Sequence, residues 1–184
     1  MKQNILPAVR LTLTCIVVFT IAYPSLIWAI AKVAPARGEG QKIVANHKAV
    51  GYKLEGQSFS QDKYFWSRPS AVAYNAAGSA GSNKGPYNPD YLKVVQDRID
   101  TFLVHNPSIT KEQIPSDLIT ASGSGLDPDI SLQSALIQIN RIAKERRIPA
   151  EKITSLIEAN IEKSINGIQK VNVLRVNIAL DGLQ

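Results

Sequence analysis

The chain has one cysteine among 184 residues, Cys15, and it lies inside an apolar run. The rest of the protein can therefore form no disulfide of its own and no thiolate metal site. Histidine is nearly as scarce. His47 and His105 stand far apart, without ligand-like neighbours, and read as surface or turn residues rather than metal ligands. No P-loop lysine spacing, dinucleotide glycine fingerprint or Gly-x-Ser-x-Gly elbow occurs, and the one near match to a glycosylation acceptor, Asn106-Pro-Ser, fails on its proline. No internal repeat is visible. The formal charge of +6 invites a nucleic-acid reading, but no basic stripe interleaved with aromatics supports it. The densest basic cluster, Lys144 with Arg146 and Arg147, ends a predicted helix, where cations oppose the negative end of the dipole. Attraction to anionic lipid or to an acidic partner is the second reading of that cluster.

What is present begins with 21 uncharged residues, Leu11 to Ala31, bracketed by Arg10 and Lys32. As a helix this run is about 31 Å long, the thickness of a bilayer's hydrocarbon core. Ten of its positions are Leu, Ile, Val or Phe, which outweigh its Thr and Ser positions for insertion. Pro24 predicts a kink, and Trp28 lies near the far end, where an interfacial anchor belongs. The run exceeds the apolar core of a cleaved signal peptide, and Ala34-Pro-Ala36 is a poor cleavage site. The expected organisation is a cytoplasmic tail over 1–10, a transmembrane anchor over 11–33 and one soluble domain over 34–184. The flanking charges nearly balance, and a short tail before a large domain places the tail inside and the domain outside the cell.

The soluble part reads as α+β, with about three helices and a small mixed sheet. After a hinge over 35–40, Gln41–Ala45 and Val50–Leu54 flank Asn46-His-Lys as a hairpin. Asn88-Pro89-Asp90 is a helix start, and Leu92, Val95, Ile99, Phe102 and Leu103 follow at helical spacing until Asn106-Pro107. Asp117–Thr120 is a short strand candidate. A helix is expected from about Ser131 to Arg147 with Leu132, Ala135, Leu136, Ile139, Ile142 and Ala143 on one face. Pro149 opens another, with Ile153, Leu156, Ile157 and Ile161 inward, closing near Asn166-Gly167. Leu174, Val176, Ile178 and Leu180 alternate with Arg175, Asn177 and Ala179 as a half-buried closing strand.

Two segments combine residues that a generic loop or core would not need. In the first, the aromatic triplet Tyr64, Phe65 and Trp66 precedes Arg68-Pro69, Tyr74-Asn75, Ser82-Asn83 and Asn88, with Gly78, Gly81 and Gly85 between. Aromatics want a packed or interfacial home, whereas Gly, Ser and Asn build tight turns. Pro69 biases Arg68 to an extended backbone, from which its five donors can reach several loop carbonyls. Two readings of Arg68 stand side by side, an internal brace and a partner contact. In the second segment, Ser122-Gly123-Ser124-Gly125 resembles a phosphate cradle, but Asp127-Pro-Asp129-Ile-Ser131 accounts for it as a turn and helix cap. A structural or interface loop is preferred over nucleotide binding. Ser122 and Ser124 lack a base that would make either a nucleophile, and Asp127 with Asp129 offers too few oxygens for a Ca²⁺ loop.

The Tyr64–Pro89 run, the Asp117–Ser131 segment and the closing Val171-Asn-Val-Leu-Arg-Val-Asn resemble the C subunit of the Kdp potassium-transporting P-type ATPase along nearly the whole chain. One departure is Asp129, where family members often carry His, so a role that needs imidazole titration is lost. The resemblance implies a non-catalytic accessory subunit of an ATP-driven potassium importer in the bacterial inner membrane. Its implied partners are a channel-like potassium-binding subunit, a P-type ATPase subunit, a small membrane subunit and membrane lipid. It implies assembly or stabilisation of the large subunits and a catalytic-chaperone effect on nucleotide affinity. No cofactor is held firmly by this chain, with ATP and Mg at the ATPase subunit. The partner-binding set expected here is Tyr64, Phe65, Trp66, Arg68, Pro69, Tyr74, Asn75, Ser82, Asn83, Asn88 and Asp127. An anchored extracytoplasmic hydrolase and an anchored solute-binding module are the alternatives.

Overall fold

The computed structural model describes residues 4–163 and 167–183. It divides into two units, Met1–Gln41 and Lys42–Gln184. In the first, α1 (Ile5–Ile16), a wider turn over Val17–Ala22 and α2 (Tyr23–Val33) form one apolar rod of 29 residues. It is long and apolar enough to cross a membrane, and none of its residues is buried by protein. The expected kink takes a specific form. Pro24 has no N–H, and its ring crowds the carbonyl four residues back. The turn before it widens, so that Tyr23 N–H donates to the carbonyl of Val18, five residues earlier. Lys32 Nζ lies 5.5 Å from the centre of the Trp28 ring.

The second unit opens with the expected hairpin, β1 (Lys42–Ala45) against β2 (Lys48–Tyr52), but the turn is only Asn46 and His47, both at positive φ, so the second strand runs from Lys48 rather than over Val50–Leu54. A long segment without strands then leads to α3 (Pro89–His105), whose cap is the expected one: Asn88 Oδ1 accepts from Tyr91 N–H at 3.0 Å. Next come β3 (Asp129–Ser131), α4 (Leu132–Leu136), α5 (Ile139–Arg146), α6 (Ala150–Ala159), β4 (Ile161–Lys163), β5 (Gln169–Asn172) and α7 (Val173–Asp181). Strands β3, β5 and β4 form an antiparallel sheet in that order, with Ile130 and Val171 paired. Both are buried in a core shared with Phe65, Phe102, Ile142, Ile153, Ile157 and Val176. The class is α+β, as the sequence predicts.

Four local expectations are corrected. Asp117–Thr120 forms no strand: Ser116–Leu118 is a helical turn, because the Asp117 carboxylate turns back to accept from Ser131 N–H at 2.7 Å and Ser134 Oγ at 2.6 Å. The helix expected over 131–147 breaks into α4 and α5 at Gln138. Its side-chain amide takes the Ser134 carbonyl at 3.0 Å, and its own N–H shifts to Ala135 at 3.2 Å. A side chain thus competes for the carbonyl that a regular helix gives to its own backbone. Helix α6 stops at Asn160, whose side chain caps the Leu156 carbonyl at 2.8 Å, and Ile161 begins β4 instead. Asn166 lies outside the described residues.

The closing strand is the largest change. Residues 173–181 are helical, and the strand lies just before them in β5. Val173, Val176, Asn177 and Leu180 are buried at three- and four-residue spacing, which is the helical period. Asn172 Oδ1 starts the helix by accepting from Arg175 N–H at 3.1 Å. The apparent alternation of Leu174, Val176, Ile178 and Leu180 comes from sampling both edges of that wide apolar face in turn.

Candidate partner-binding site

The two unusual loops, some fifty residues apart in sequence, pack on each other. Ser70 Oγ donates to the Gly125 carbonyl at 2.7 Å, and Ser79 Oγ donates to the Ser124 carbonyl at 2.9 Å. Ser122 N–H reaches the Pro69 carbonyl at 3.1 Å, and Gly56 N–H reaches Leu126 at 2.7 Å. Gly125 makes the contact possible: its φ is +69°, and a Cβ there would sit 2.5 Å from Val72 Cγ2 and 2.9 Å from the Ala80 carbonyl. The Ser70 hydroxyl also accepts from Tyr74 N–H at 2.9 Å, and the Tyr74 hydroxyl donates to the Arg68 carbonyl. Burial raises the Tyr74 phenol above its usual range, against smaller opposing effects of the Ser67 hydroxyl and Arg98.

Arg68 closes the join. Its Nη1 lies 2.7 Å from Asp127 Oδ2, while Asp127 Oδ1 accepts from Asp129 N–H at 3.1 Å. It therefore braces through a carboxylate on the second loop rather than through several carbonyls. Its Nε is buried without a partner. Asp129 does not cap a helix; it pairs with Lys170 of β5 and accepts from Asn172 Nδ2 at 3.3 Å. That hydrogen bond to Asp129 is the main cause that raises the Lys170 ammonium above its usual range.

The aromatic triplet is tied inwards. Phe65 is fully enclosed, so it anchors the loop and offers no surface. Its N–H donates to Asn177 Oδ1 at 2.8 Å, and its carbonyl accepts from Asn177 Nδ2 at 3.0 Å. Trp66 N–H donates to Gln138 Oε1 at 2.8 Å, and its ring packs edge-on to Phe102 and His105. Tyr64 donates to Asp181 Oδ2 at 3.1 Å beneath the Arg146 guanidinium, and its phenol is raised chiefly by burial and then by Asp181.

Behind Trp66 lies a polar network that the sequence reading missed. Arg141, 7% exposed, stands over the Trp66 ring at 4.5 Å. It donates to Gln138 Oε1 at 2.7 Å, to the Asp62 carbonyl at 2.8 Å and to Asn106 Oδ1 at 3.2 Å. Burial lowers its pKa to about 10, with Asp62 acting in the opposite direction. Asp62 in turn lies 2.8 Å from His105 Nδ1. A signal did exist: Gln138 and Arg141 share the helical stripe of Ala135, Ile139 and Ile142, and polar residues in core phase need partners.

The remaining expected residues lie outward. Asn75 and Asn83 are exposed, Ser82, Pro69 and Asn88 are half-buried, and Asn83 adopts φ +52°. Asn75 Oδ1 accepts from Ala77 N–H and shapes its own turn. Tyr87, left out of the expected set, is 91% exposed between Pro86 and Asn88. An aromatic held open beside a helix start is a strong contact candidate. In the other loop Ser122 is buried, and Ser124 Oγ accepts from Leu126 N–H. Two of the four amides of a would-be phosphate cradle are already used, Ser122 on Pro69 and Gly125 on Ser122. His105, with Asp62 and Trp66 as its neighbours, engages neither serine.

The chain thus combines an apolar rod long enough to cross a membrane with an α+β unit whose two odd loops brace each other. The model of the family described as K+-transporting ATPase, c chain, matches residues 5–182, and the chain belongs to this KdpC family. It is 53% identical over 182 residues to the potassium-transporting ATPase KdpC subunit of Flavobacterium johnsoniae, covering 99% of this chain and 100% of that one. The KdpC subunit of Bacteroides fragilis is 44% identical over 188 residues, covering 99% and 98%, and that of Bacillus cereus is 39% identical over 188 residues, covering 99% and 97%.

Proposed function

We propose that this chain is a non-catalytic subunit of an ATP-driven potassium importer, anchored by its apolar rod with Lys42–Gln184 outside the cell. It docks on the outer face of a channel-like subunit and stabilises that subunit's association with the ATP-hydrolysing one. The observation that carries this reading is the interlocked pair of loops, which holds Asn75, Asn83 and Tyr87 exposed on a backbone fixed by Arg68–Asp127 and the Ser70–Gly125 bond. A preorganised surface loses little conformational freedom on binding, which favours tight association. ATP and Mg belong to the ATPase subunit in this arrangement. An outward domain cannot touch cytoplasmic nucleotide, so any rise in nucleotide affinity passes through the membrane subunits as a coupling between sites.

The test combines topology with assembly. A cysteine placed at Asn83 in a Cys15→Ser background should react with a membrane-impermeant maleimide in intact cells. Reaction only after lysis would overturn the outward placement. In the same membranes, Tyr87→Glu should reduce co-purification of the large subunits several-fold in mild detergent while leaving thermal unfolding of the chain unchanged. Unchanged co-purification would remove the loop surface from the docking role.

A further inference from the structure

The β1–β2 hairpin has two unlike faces. On the inner face, Ile43 pairs with Gly51, and a Cβ at Gly51 would meet Leu174 Cδ2 at 2.7 Å and Gln57 Nε2 at 2.1 Å, so α7 packs directly beneath. The outer face carries the pairs Lys42–Tyr52 and Val44–Ala49. Val44 is 61% exposed there, and Leu54, just past the hairpin, is 72% exposed. An exposed valine, a tyrosine and a lysine on this face, with an exposed leucine in the turn just beyond it, resemble neither a core strand nor an ordinary solvated edge. Lysine with an aliphatic stem and tyrosine with a polar tip are the residues that suit a boundary between hydrocarbon and water.

The face follows the apolar rod closely in sequence. The apolar rod ends at Val33, and β1 starts at Lys42. Part of that link is the compact turn Pro35–Gly38. Its charge is also one-sided. Between residues 32 and 55 stand Lys32, Arg37, Lys42, Lys48 and Lys53 against Glu39 and Glu55, with Lys53 also paired to Glu162 at 3.4 Å. Cations near an anionic surface are attracted to it.

We infer that the outer face of the hairpin is a lipid-surface contact, with Val44 and Leu54 entering the headgroup boundary of an anionic bilayer and Tyr52 at its polar level. This contact adds a second attachment to the membrane beside the anchor. It would leave the Asn75–Tyr87 loop surface to serve the protein partner, and it rests on the anchor reading of Ile5–Val33.

Spin labels test both readings separately. The chain is purified with its accompanying subunits and placed in vesicles of phosphatidylcholine and phosphatidylglycerol. One sample is labelled at the native Cys15, and others at Val44→Cys or Leu54→Cys in the Cys15→Ser background. Accessibility is then compared for oxygen, which concentrates in lipid, and for a polar nickel chelate, which stays in water. We expect the labels at 44 and 54 to be several-fold more accessible to oxygen than to the chelate, and the preference to weaken in vesicles of phosphatidylcholine alone. Strong access to the chelate at 44 and 54, with Cys15 still in lipid, overturns the hairpin contact and spares the anchor. Shielding from both reagents means that a protein covers the face and likewise overturns it. A water-exposed Cys15 would overturn the anchor itself.

Discussion

Asn177 holds Phe65 as a neighbouring strand would, accepting its N–H at 2.8 Å and donating to its carbonyl at 3.0 Å. The two residues are 112 positions apart, and both are buried. Phe65 thus enters the core without a sheet partner, and the loop that follows leaves from a fixed point. Every buried backbone group needs a partner, and here one side chain supplies two.

Replacing Asn177 with Leu keeps the branched heavy-atom shape and removes both bonds. The Phe65 N–H and carbonyl would be stranded, each costing about 1–3 kcal/mol. We expect destabilisation of about 2–4 kcal/mol by thermal or urea unfolding of the full chain in detergent. A change below about 1 kcal/mol would mean that water replaces the amide.

The Arg68–Asp127 pair separates bracing from contact. Both side chains are about a quarter to a third exposed, so their coupling in a double-mutant cycle should be about 1 kcal/mol or less. Arg68→Met and Asp127→Asn should lower co-purification of the large subunits to a similar extent, since each frees the same loop join. A much greater loss for Arg68→Met alone would show that its guanidinium touches the partner directly.

Gly125→Ala should be costly where Gly123→Ala is not. At Gly125 a positive φ combines with contacts of 2.5 Å and 2.9 Å, while a Cβ at Gly123 meets nothing within 4 Å. Left-handed strain and overpacking together predict a loss of about 2–3 kcal/mol at 125 and less than about 0.5 kcal/mol at 123. Unfolding midpoints of the two variants make the comparison.

Alkaline pH should weaken the loop through Tyr74. Its phenol is raised in the folded state by burial, so the folded chain retains a proton that the unfolded chain releases near pH 10. That contribution is intact below pH 10 and is lost as pH rises through the folded value. Tyr74→Phe removes it, at the price of leaving the Arg68 carbonyl without its donor. The variant should be less stable than the parent at pH 8, and the difference should shrink between pH 10 and 12. A constant difference across that range would mean that the phenol titrates normally.

Much of the fold was legible because its signals are local. The apolar length of Leu11–Ala31, the Asn88-Pro89 helix start and the presence of a hairpin around Asn46-His47 each depend on a few adjacent residues, although the strand after the turn begins two residues earlier than expected. Errors arose where a distant side chain decided the matter. Asp117 bends its own segment by bonding to Ser131 and Ser134, and Gln138 breaks a helix while serving Trp66 and Arg141. At residues 173–181 a wide apolar helical face imitates alternation when every second residue is sampled.

The site divides along the same line. Composition alone set Tyr64–Asn88 and Ser122–Asp127 apart, since aromatics and turn formers in one loop are unusual wherever the chain goes. The sequence also determined the apolar rod, the α+β class and the family. Only the tertiary structure decided that the two loops are one surface, that Phe65 and Trp66 serve the interior, and that Tyr87 remains open. Those outcomes depend on Gly125 admitting the first loop, Arg68 reaching Asp127, and Asn177 meeting Phe65. Each pairs groups more than fifty residues apart, and pairings at that distance leave no period or spacing in the sequence to read.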